Sequence, residues 1–250
     1  MWRLGDSFTE GLDDPHPDGV HYRGWADLVA GRLAREVAGF RYANLAIRGR
    51  LLGAVAAEQV PVARELRPEL MSFTAGGNDA LRRNFDPAHL AARFDAVVGK
   101  LRSDGADLLL FTFAPTNLRL PARRIVQARA GQANPVVTEV AARHGAILVD
   151  LSVDDELPNP LLWSGDRLHL NTYGHRRVAA HVLTALSITP DPEWWESPKP
   201  LPARSWPVTR LEDVRWAGRH LAPWVHRRLT GRSSGDNRVP KRPTLEPVAD

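Results

Sequence analysis

Apolar and polar residues follow two alternating patterns along the first 189 residues of the chain. Short, nearly continuous apolar runs, typical of strands, precede stretches in which apolar residues recur every three or four positions, as on one face of a helix. The pattern predicts strands at 2–4, 40–46, 70–75, 106–113 and 146–150. It predicts helices at 25–37, 51–66, 87–101, 136–144 and 172–186. Five strands, each followed by a helix, indicate a parallel sheet with right-handed crossovers and helices on both faces.

Individual residues indicate where these helices begin or break. Asp86 and Asn171 precede two of the periodic stretches and are suited to cap them, because their side chains accept hydrogen bonds from the first free N–H groups. Pro61 is expected to kink or split the second helix. The segment 115–135 is rich in arginine and is predicted to be irregular, with a short helix around Ile125.

The composition changes near residue 190. Residues 190–250 contain 11 of the 33 lysines and arginines and 8 of the 29 acidic residues, a net charge of +3 out of +4. They also contain 10 of the 20 prolines and 5 of the 8 tryptophans. We expect residues 1–189 to form one domain, 190–230 an extension with short helices that packs on it, and 231–250 a disordered tail.

The extension contains an apolar stripe at helical spacing, formed by Leu211, Val214, Gly218, Leu221, Trp224, Val225 and Leu229. Pro223 is expected to divide the stripe between two short helices. We expect this stripe to pack against the domain, because exposed aromatic clusters need a partner, with anchors at Trp194, Trp195 and Trp206. The alternative is a docking element for an acidic surface, made of Arg227, Arg228, Arg232, Arg238, Lys241 and Arg242.

Composition excludes several classes of protein. The chain has no cysteine, which excludes disulfides, thiolate catalysis and cysteine-bound metal. No apolar run approaches the roughly 20 residues that a membrane span needs. No basic and apolar leader is visible at the start, so we expect a cytoplasmic protein. Only four residues precede Gly5, however. If the natural chain begins upstream, the additional residues could include a signal peptide, and secretion is then the alternative.

Four short segments with candidate chemistry follow predicted strands, where parallel sheets collect their ligands. They are GDSFTEG at 5–11, NLAIRG at 44–49, GGND at 76–79 and DRLH at 166–169. Taken alone, each has an ordinary explanation: a helix cap, a turn glycine, an Asx turn or a surface pair. Together they supply a hydroxyl nucleophile, a base, an orienting acid and further oxyanion donors at one sheet edge. Serine acyl transfer requires this set of groups.

The four segments, in this order, resemble those of the SGNH hydrolases, also called GDSL-type esterases and lipases. The resemblance covers about residues 1–189, and the set of four is far more specific than any single segment. It implies that Ser7 is the nucleophile, His169 the general base and Asp166 its orienting acid. It also implies an oxyanion hole made by the Ser7 N–H, the Gly49 N–H and the Asn78 side chain.

The same resemblance implies the fold and the absence of a cofactor. It predicts a flavodoxin-like three-layer α/β/α sandwich with a five-stranded parallel sheet, to which the Pro/Trp/Arg-rich C-terminal extension is added. It implies neither a metal nor an organic cofactor.

Other polar residues are interpreted as structural. The segment 231–235 reads G-x-S-x-G, a nucleophile-elbow pattern, but no strand precedes it and we interpret the match as coincidence. His175 is interpreted as a surface or helix-packing residue, and Asp6 and Asp79 as turn-stabilising residues.

A second group of arginines bears on substrate choice. Arg119, Arg123 and Arg124 are interpreted as solvated loop residues, with an anionic-substrate wall as the alternative.

The function expected from these observations is a metal-independent serine esterase whose partner is a small-molecule ester. Its activity is expected to rise with pH near about 6–7, as His169 loses its proton. Acyl transfer to another alcohol at the same site remains an alternative. The other alternative is a basic binding protein on a disabled hydrolase scaffold, with nucleic acid as an unfavoured partner. The intact set of Ser7, Gly49, Asn78, Asp166 and His169 argues against a disabled site.

Overall fold

Six strands form a single sheet in the computed structural model, which describes residues 1–16, 21–200, 202 and 205–248. The strands are β1 (Trp2–Leu4), β2 (Arg41–Asn44), β3 (Leu70–Phe73), β4 (Asp107–Phe111), β5 (Ile147–Val149) and β6 (Arg242–Pro247). Their order in the sheet is β5-β4-β3-β1-β2-β6. The first five strands are parallel and follow the flavodoxin-like order. The predicted parallel sheet is therefore confirmed.

The sixth strand corrects two expectations from the sequence. Strand β6 pairs antiparallel with β2, so the sheet has six strands instead of five. The disorder predicted for 231–250 is wrong for Arg242–Pro247. The β6 sequence contains two prolines and no apolar run, so local propensity gives no strand signal. The unpaired edge of β2 supplies the hydrogen-bonding partners that organise it.

Helices cover both faces of the sheet. They are α1 (Ser7–Glu10), α2 (Gly24–Ala34), α3 (Leu52–Glu58), α4 (Val60–Glu65), α5 (Gly77–Ala80), α6 (Pro87–Arg102), α7 (Arg123–His144), α8 (Thr172–Ala185), α9 (Trp206–Trp216) and α10 (Ala222–Leu229). Short 3-10 helices lie at Pro160–Leu162 and Pro192–Trp195. No helix in the described part of the chain combines the length and apolarity needed to cross a membrane.

The local signals for helix ends are largely confirmed. Asp86 accepts hydrogen bonds from the backbone at the start of α6, and Asn171 does the same for α8. The chain breaks between α3 and α4 at Gln59, and Pro61 occupies the first turn of α4. The irregular segment predicted for 115–135 is wrong beyond residue 122, because α7 runs unbroken through Pro135. Its buried side chains lie on both sides of that proline and pack on the sheet, which outweighs the lost hydrogen bond.

Two apolar layers confirm the three-layer arrangement. One face of the sheet packs against α3, α4, α6 and α7, through residues such as Leu52, Phe94 and Val137. The other face packs against α2 and α8, through Trp25 and Val178. The sequence change near residue 190 does not end the second layer, because Trp194 is buried in it.

The extension forms one long helical segment, here called the extension helix, which comprises α9, a π-helical turn (Ala217–Leu221) and α10. Pro223 lies in the first turn of α10, and the chain stays helical across it. The expected packing of the apolar stripe is wrong: Leu211 and Leu229 are exposed. Trp206 is exposed as well and is no anchor. The opposite side of the helix, which carries Asp213 and Trp216, faces the domain instead.

Candidate active site

The turn after β1 positions Ser7 at the start of α1. Asp6 caps this helix by accepting a hydrogen bond from the Phe8 N–H at 3.1 Å. The Gln59 side chain binds both backbone groups of Gly5, at 2.8 Å and 2.9 Å. A Cβ at Gly5 would lie 2.8 Å from the Thr74 carbonyl oxygen, so the turn packs against the end of β3 only with glycine there. The position lies between β1 and β3, where strand order reverses and ligands bind in such sheets.

Ser7, His169 and Asp166 form one hydrogen-bonded chain. The Ser7 Oγ lies 2.9 Å from His169 Nε2, although the residues are 162 positions apart. On the other side of the ring, His169 Nδ1 donates to Asp166 Oδ2 at 2.5 Å. Asp166 Oδ1 accepts the N–H groups of Leu168 and His169, each at 2.9 Å, which fixes the carboxylate within its turn. In this arrangement Nε2 is free to accept the hydroxyl proton.

The electrostatics of the site favour this protonation pattern. Burial lowers the pKa of His169, but the hydrogen bond and charge of Asp166 outweigh burial, so the net pKa shift is upward. Burial raises the pKa of Asp166, but its bonds from His169 and from the backbone dominate and hold its pKa well below the usual range. Asp166 therefore stays ionised, and its negative charge favours the protonated form of the His169 ring.

An apolar cavity of about 210 Å³ opens beside Ser7 and His169. Six of the described side chains that line it are phenylalanine or tryptophan: Phe8, Phe73, Phe94, Phe111, Phe113 and Trp163. Asn78 lines the same cavity. Apolar walls around a few convergent polar groups are typical of a site for an organic ligand.

Asn78 and Gly49 occupy different positions relative to this cavity. Asn78 Nδ2 donates to Asp6 Oδ2 at 3.0 Å and to the Arg50 carbonyl at 3.1 Å, so both of its protons already have acceptors. Gly49 lies outside the set of described residues that line the cavity. It precedes Arg50 in the loop after β2 and has a positive φ of 74°. The structure thus brings Ser7, Asn78 and His169 to one cavity and places Gly49 in the adjoining loop.

A second acid supports the histidine turn. Ser164 Oγ lies 2.6 Å from Asp13 Oδ2 and 2.7 Å from Asp166 Oδ1, so one hydroxyl joins the two carboxylates. Asp13, Asp166 and His169 each offer an atom within 4.8 Å of the others, the spacing of a metal site. The His169 nitrogen on this side is already bonded to Asp166, so a cation there would compete with the hydrogen bond that orients the ring.

Sequence reasoning did not anticipate the side-chain contacts that join the motif segments to one another. Glu10 of the first segment accepts from the Arg48 backbone N–H at 2.7 Å and from its Nε at 2.9 Å, which ties the first segment to the second. Asp6 ties the first segment to the third through Asn78. Burial raises the pKa of Asp6 to about 6. Glu10, Arg48 and Asp6 lie inside the motif segments themselves, and that location was the available signal.

Residues interpreted as structural occupy structural positions. His175 is buried, and its Nδ1 accepts the Trp25 N–H at 3.3 Å while Nε2 lies 3.3 Å from the Leu12 carbonyl. Burial lowers the pKa of His175 to about 4, so it packs as a neutral ring. Asp79 caps α3 by accepting from the Leu52 N–H at 2.9 Å.

The G-x-S-x-G segment of the tail lies against the loop that carries Gly49. Ser233 Oγ donates to the Gly49 carbonyl at 3.3 Å and accepts from the Gly235 N–H at 3.2 Å. A Cβ at Gly49 would collide with the Ser233 hydroxyl. The segment is therefore a packing element of the tail, and no strand leads into it.

The arginines near the site face the extension helix. Arg119 lies 3.4 Å from Asp213 and 3.9 Å from Glu212. Arg167, which stands between Asp166 and His169 in the chain, donates to Asp213 at 2.6 Å. These arginines lie outside the set of described residues that line the Ser7 cavity, which leaves the anionic-substrate alternative without support.

Comparison with known proteins gives a consistent result. A model of the GDSL-like Lipase/Acylhydrolase family matches residues 4–177. Esterase TesA of Pseudomonas aeruginosa is 34% identical over 109 residues, a match that covers 43% of this chain and 50% of the relative. The chain thus aligns with about half the length of this curated relative.

Solved structures share the architecture. The crystal structure of TesA superposes with a TM-score of 0.57 at 26% identity, covering 74% of this chain and 96% of that chain. An alpha/beta hydrolase enzyme from the metagenome of Lake Arreo, Spain, superposes with a TM-score of 0.62 at 22% identity, covering 74% and 94%. An acetyl xylan esterase from Geobacillus stearothermophilus superposes with a TM-score of 0.61 at 20% identity, covering 75% and 94%.

Proposed function

The chain belongs to the GDSL-like Lipase/Acylhydrolase family, and on that premise we propose that it is a serine esterase that hydrolyses carboxylic esters through an acyl-enzyme intermediate. The observation that carries the proposal is the contact of 2.9 Å between Ser7 Oγ and His169 Nε2, with Asp166 bonded to the opposite ring nitrogen. This contact lies at an apolar cavity that suits the acyl or alcohol part of an ester.

In the first half of the reaction, Ser7 Oγ attacks the ester carbonyl while its proton passes to His169 Nε2. The carbonyl oxygen gains negative charge, and the donors proposed to meet it are the N–H groups of Ser7 and Gly49 and the Asn78 amide. An incoming oxyanion competes with the Arg50 carbonyl and Asp6 for the Asn78 protons. His169 then donates its proton to the leaving alcohol, and the C–O bond breaks to leave an acyl-Ser7 ester.

The second half repeats these steps with water. His169 removes a proton from water, and the resulting hydroxide oxygen bonds to the acyl carbon. The intermediate collapses, the proton returns from His169 to Ser7 Oγ, and the carboxylic acid leaves. One water is consumed for each ester cleaved. Asp166 stays ionised throughout, in keeping with its low pKa, and holds the ring.

The binding-protein alternative requires a disabled site. The hydrogen-bonded chain of Ser7, His169 and Asp166 argues against it. The 2.9 Å contact joins Ser7 and His169 across 162 residues of sequence, and the 2.5 Å contact joins His169 to Asp166 within one turn, and a scaffold without catalytic function requires neither. This alternative also needs a basic tail that is free to bind a partner, and two of the basic residues in the tail are held by the domain. The Lys241 side chain is only 11% exposed and pairs with Asp27, and Arg242 lies in β6.

The test uses Ser7→Ala on a panel of small chromogenic esters. We expect the variant to lose hydrolysis and labelling by a serine-directed phosphonate while it retains the wild-type melting temperature. Ser103→Ala is the matched control, because Ser103 is exposed just after α6, where its hydroxyl donates to the Lys100 carbonyl, and it does not line the cavity. Undiminished hydrolysis in Ser7→Ala would exclude the mechanism.

A further inference from the structure

The extension helix turns its apolar stripe toward solvent. Val214 is 70% exposed and Leu229 is 82% exposed, and Leu221 and Val225 are exposed on the same side. A stripe of this kind normally faces the interior of its own protein. Here the interior side carries Trp216, which packs beside Arg167, so the apolar side is left without a partner within the described residues.

The charged residues of the extension helix also differ in position relative to the apolar stripe. Arg215 and Arg219 are exposed at one edge of the stripe, where they also line a cleft between the helix and the domain. The helix has two acidic residues, Glu212 and Asp213, and both are turned toward the domain and Arg119. From residue 214 to residue 229 the helix thus presents exposed apolar and positively charged side chains, and this stretch contains no acidic residue. We define the basic apolar face as Val214, Arg215, Arg219, Leu221, Val225 and Leu229.

The surface continues onto the start of α7. Leu118 is 54% exposed and Ile125 is 57% exposed, and they line a shallow cleft whose other wall includes Leu221. Arg123 and Arg124 lie in the same cleft. Two separate parts of the chain thus present the same combination of exposed apolar and basic residues side by side.

We propose that the basic apolar face docks the protein on a lipid surface that contains anionic headgroups. Exposed leucine and valine side chains insert at the boundary between headgroups and acyl chains, and arginines at the edge of the stripe contact the phosphates. A neutral bilayer would leave those arginines without counter-charges. A purely apolar protein partner would likewise leave Arg215 and Arg219 without counter-charges.

Docking in this orientation brings the lipid surface close to the cavity. Val126 lines the cavity beside Ser7, and its neighbour Ile125 lies on the docking surface. Esters dissolved in the lipid would then be presented to the site, an extension that rests on the proposed function. The docking itself does not rest on it.

The experiment is flotation of Ser7→Ala protein with vesicles, because this variant cannot change the lipid. Vesicles of neutral phosphatidylcholine are compared with vesicles that contain about one third phosphatidylglycerol. We expect binding to the anionic vesicles that weakens as salt is raised, and little binding to the neutral ones. Reversing two charges with Arg215→Glu and Arg219→Glu should weaken binding by about tenfold or more.

The apolar half of the face is tested by the double variant Val214→Asp and Leu229→Asp. Its matched control is Val153→Asp, at a position 69% exposed but in the loop after β5. We expect the double variant to lose vesicle binding and the control to retain it, with melting temperatures unchanged because neither site is buried. Salt-independent binding, equal binding to both vesicle types or equal losses in both variants would overturn the proposal. So would a homodimer, measured by light scattering, that the double variant abolishes.

Discussion

Arg167 and Asp213 join the turn from Asp166 to His169 to the extension helix through a hydrogen bond of 2.6 Å. Arg167 also lies over the Trp216 ring, 4.7 Å from its centroid. Its backbone has a positive φ of 64°, which a residue other than glycine adopts only where its surroundings hold it. The turn from Asp166 to His169 is thus held from outside the region that matches the family model.

Asp213→Ala should lower kcat/KM, because the turn loses a contact that holds Asp166 and His169 in register. An ion pair of this exposure is worth about 1 kcal/mol, and we expect a fall of about fivefold, mainly in kcat. Glu212→Ala is the control, because it removes the neighbouring acid of the same helix, whose carboxylate lies 3.9 Å from Arg119. Asp213→Glu should restore most of the activity. Steady-state kinetics that show equal effects of the Asp213→Ala and Glu212→Ala variants would contradict a specific role for Asp213.

Activity should rise with pH as the base loses its proton. The pKa of His169 is shifted upward, so the inflection of kcat/KM should lie above the ordinary histidine value of about 6.5. Below that pH the imidazolium cannot accept the Ser7 proton. The profile is measured from pH 5 to about 9 with a neutral ester, and a flat profile would exclude histidine as the base.

The charge of Asp13 should contribute to this inflection. Asp13 is among the acids that raise the pKa of His169, so Asp13→Asn should move the inflection to lower pH. Asparagine tolerates the positive φ of 69° at this position and keeps an oxygen for Ser164. Asp107→Asn, at the opposite end of the sheet, is the control and should leave the profile unchanged. An unshifted inflection in Asp13→Asn would exclude the charge of Asp13 as a contributor to the pKa of His169.

Asn78→Ala should reduce kcat far more than it changes KM. Removing one oxyanion donor typically costs about 10²–10³ in turnover, because the donor acts on charge that develops in the transition state. The control is Asn84→Ala, at an exposed position in the loop before α6. Thermal unfolding of both variants separates catalysis from folding, since Asn78 also bonds to Asp6 and Arg50. A fall in kcat of less than tenfold would contradict the role of Asn78 as an oxyanion donor.

Lys241→Met should destabilise the protein, although Lys241 lies in a tail that the sequence predicts to be disordered. Its Nζ donates to the Tyr22 and Arg23 carbonyls at 3.0 Å and 2.7 Å and to Asp27 at 2.8 Å. Methionine keeps the apolar stem but leaves these acceptors unpaired, so the free energy of unfolding should fall by about 2 kcal/mol. Denaturant titration measures the change, with the exposed Lys199→Met as control. Equal free energies of unfolding for the two variants would mean that the contacts of Lys241 with Tyr22, Arg23 and Asp27 do not stabilise the protein.

The sequence was sufficient for the parts of the fold that leave a local signal. Buried parallel strands such as β4 are continuous apolar runs, and the residue type alone predicts helix caps such as Asp86. The four motif segments follow strands, so the topology brings most of their residues to the same edge. The topology therefore predicts that Ser7 and His169 lie at one sheet edge, and the family resemblance of the four segments supplies their pairing.

What escaped prediction depends on contacts distant in sequence. Strand β6 forms because β2 offers a free edge about 200 residues earlier, and α7 survives Pro135 because its apolar side is packed on the sheet. The side of the extension helix that faces the domain was predicted wrongly for a similar reason. Its contact with the domain is made by Asp213 on Arg167, and an apolar pattern contains no information about that pair.

Strand β6 also determines where the sheet stops. A bare β2 edge would present backbone donors and acceptors to any neighbouring molecule, which is the usual route to intermolecular strand pairing and aggregation. Two of the six β6 positions, Pro243 and Pro247, have no N–H to offer, and the charged Glu246 is exposed. The strand that completes the sheet is therefore a poor template for another strand, and we expect the protein to resist self-association through this edge even at high concentration.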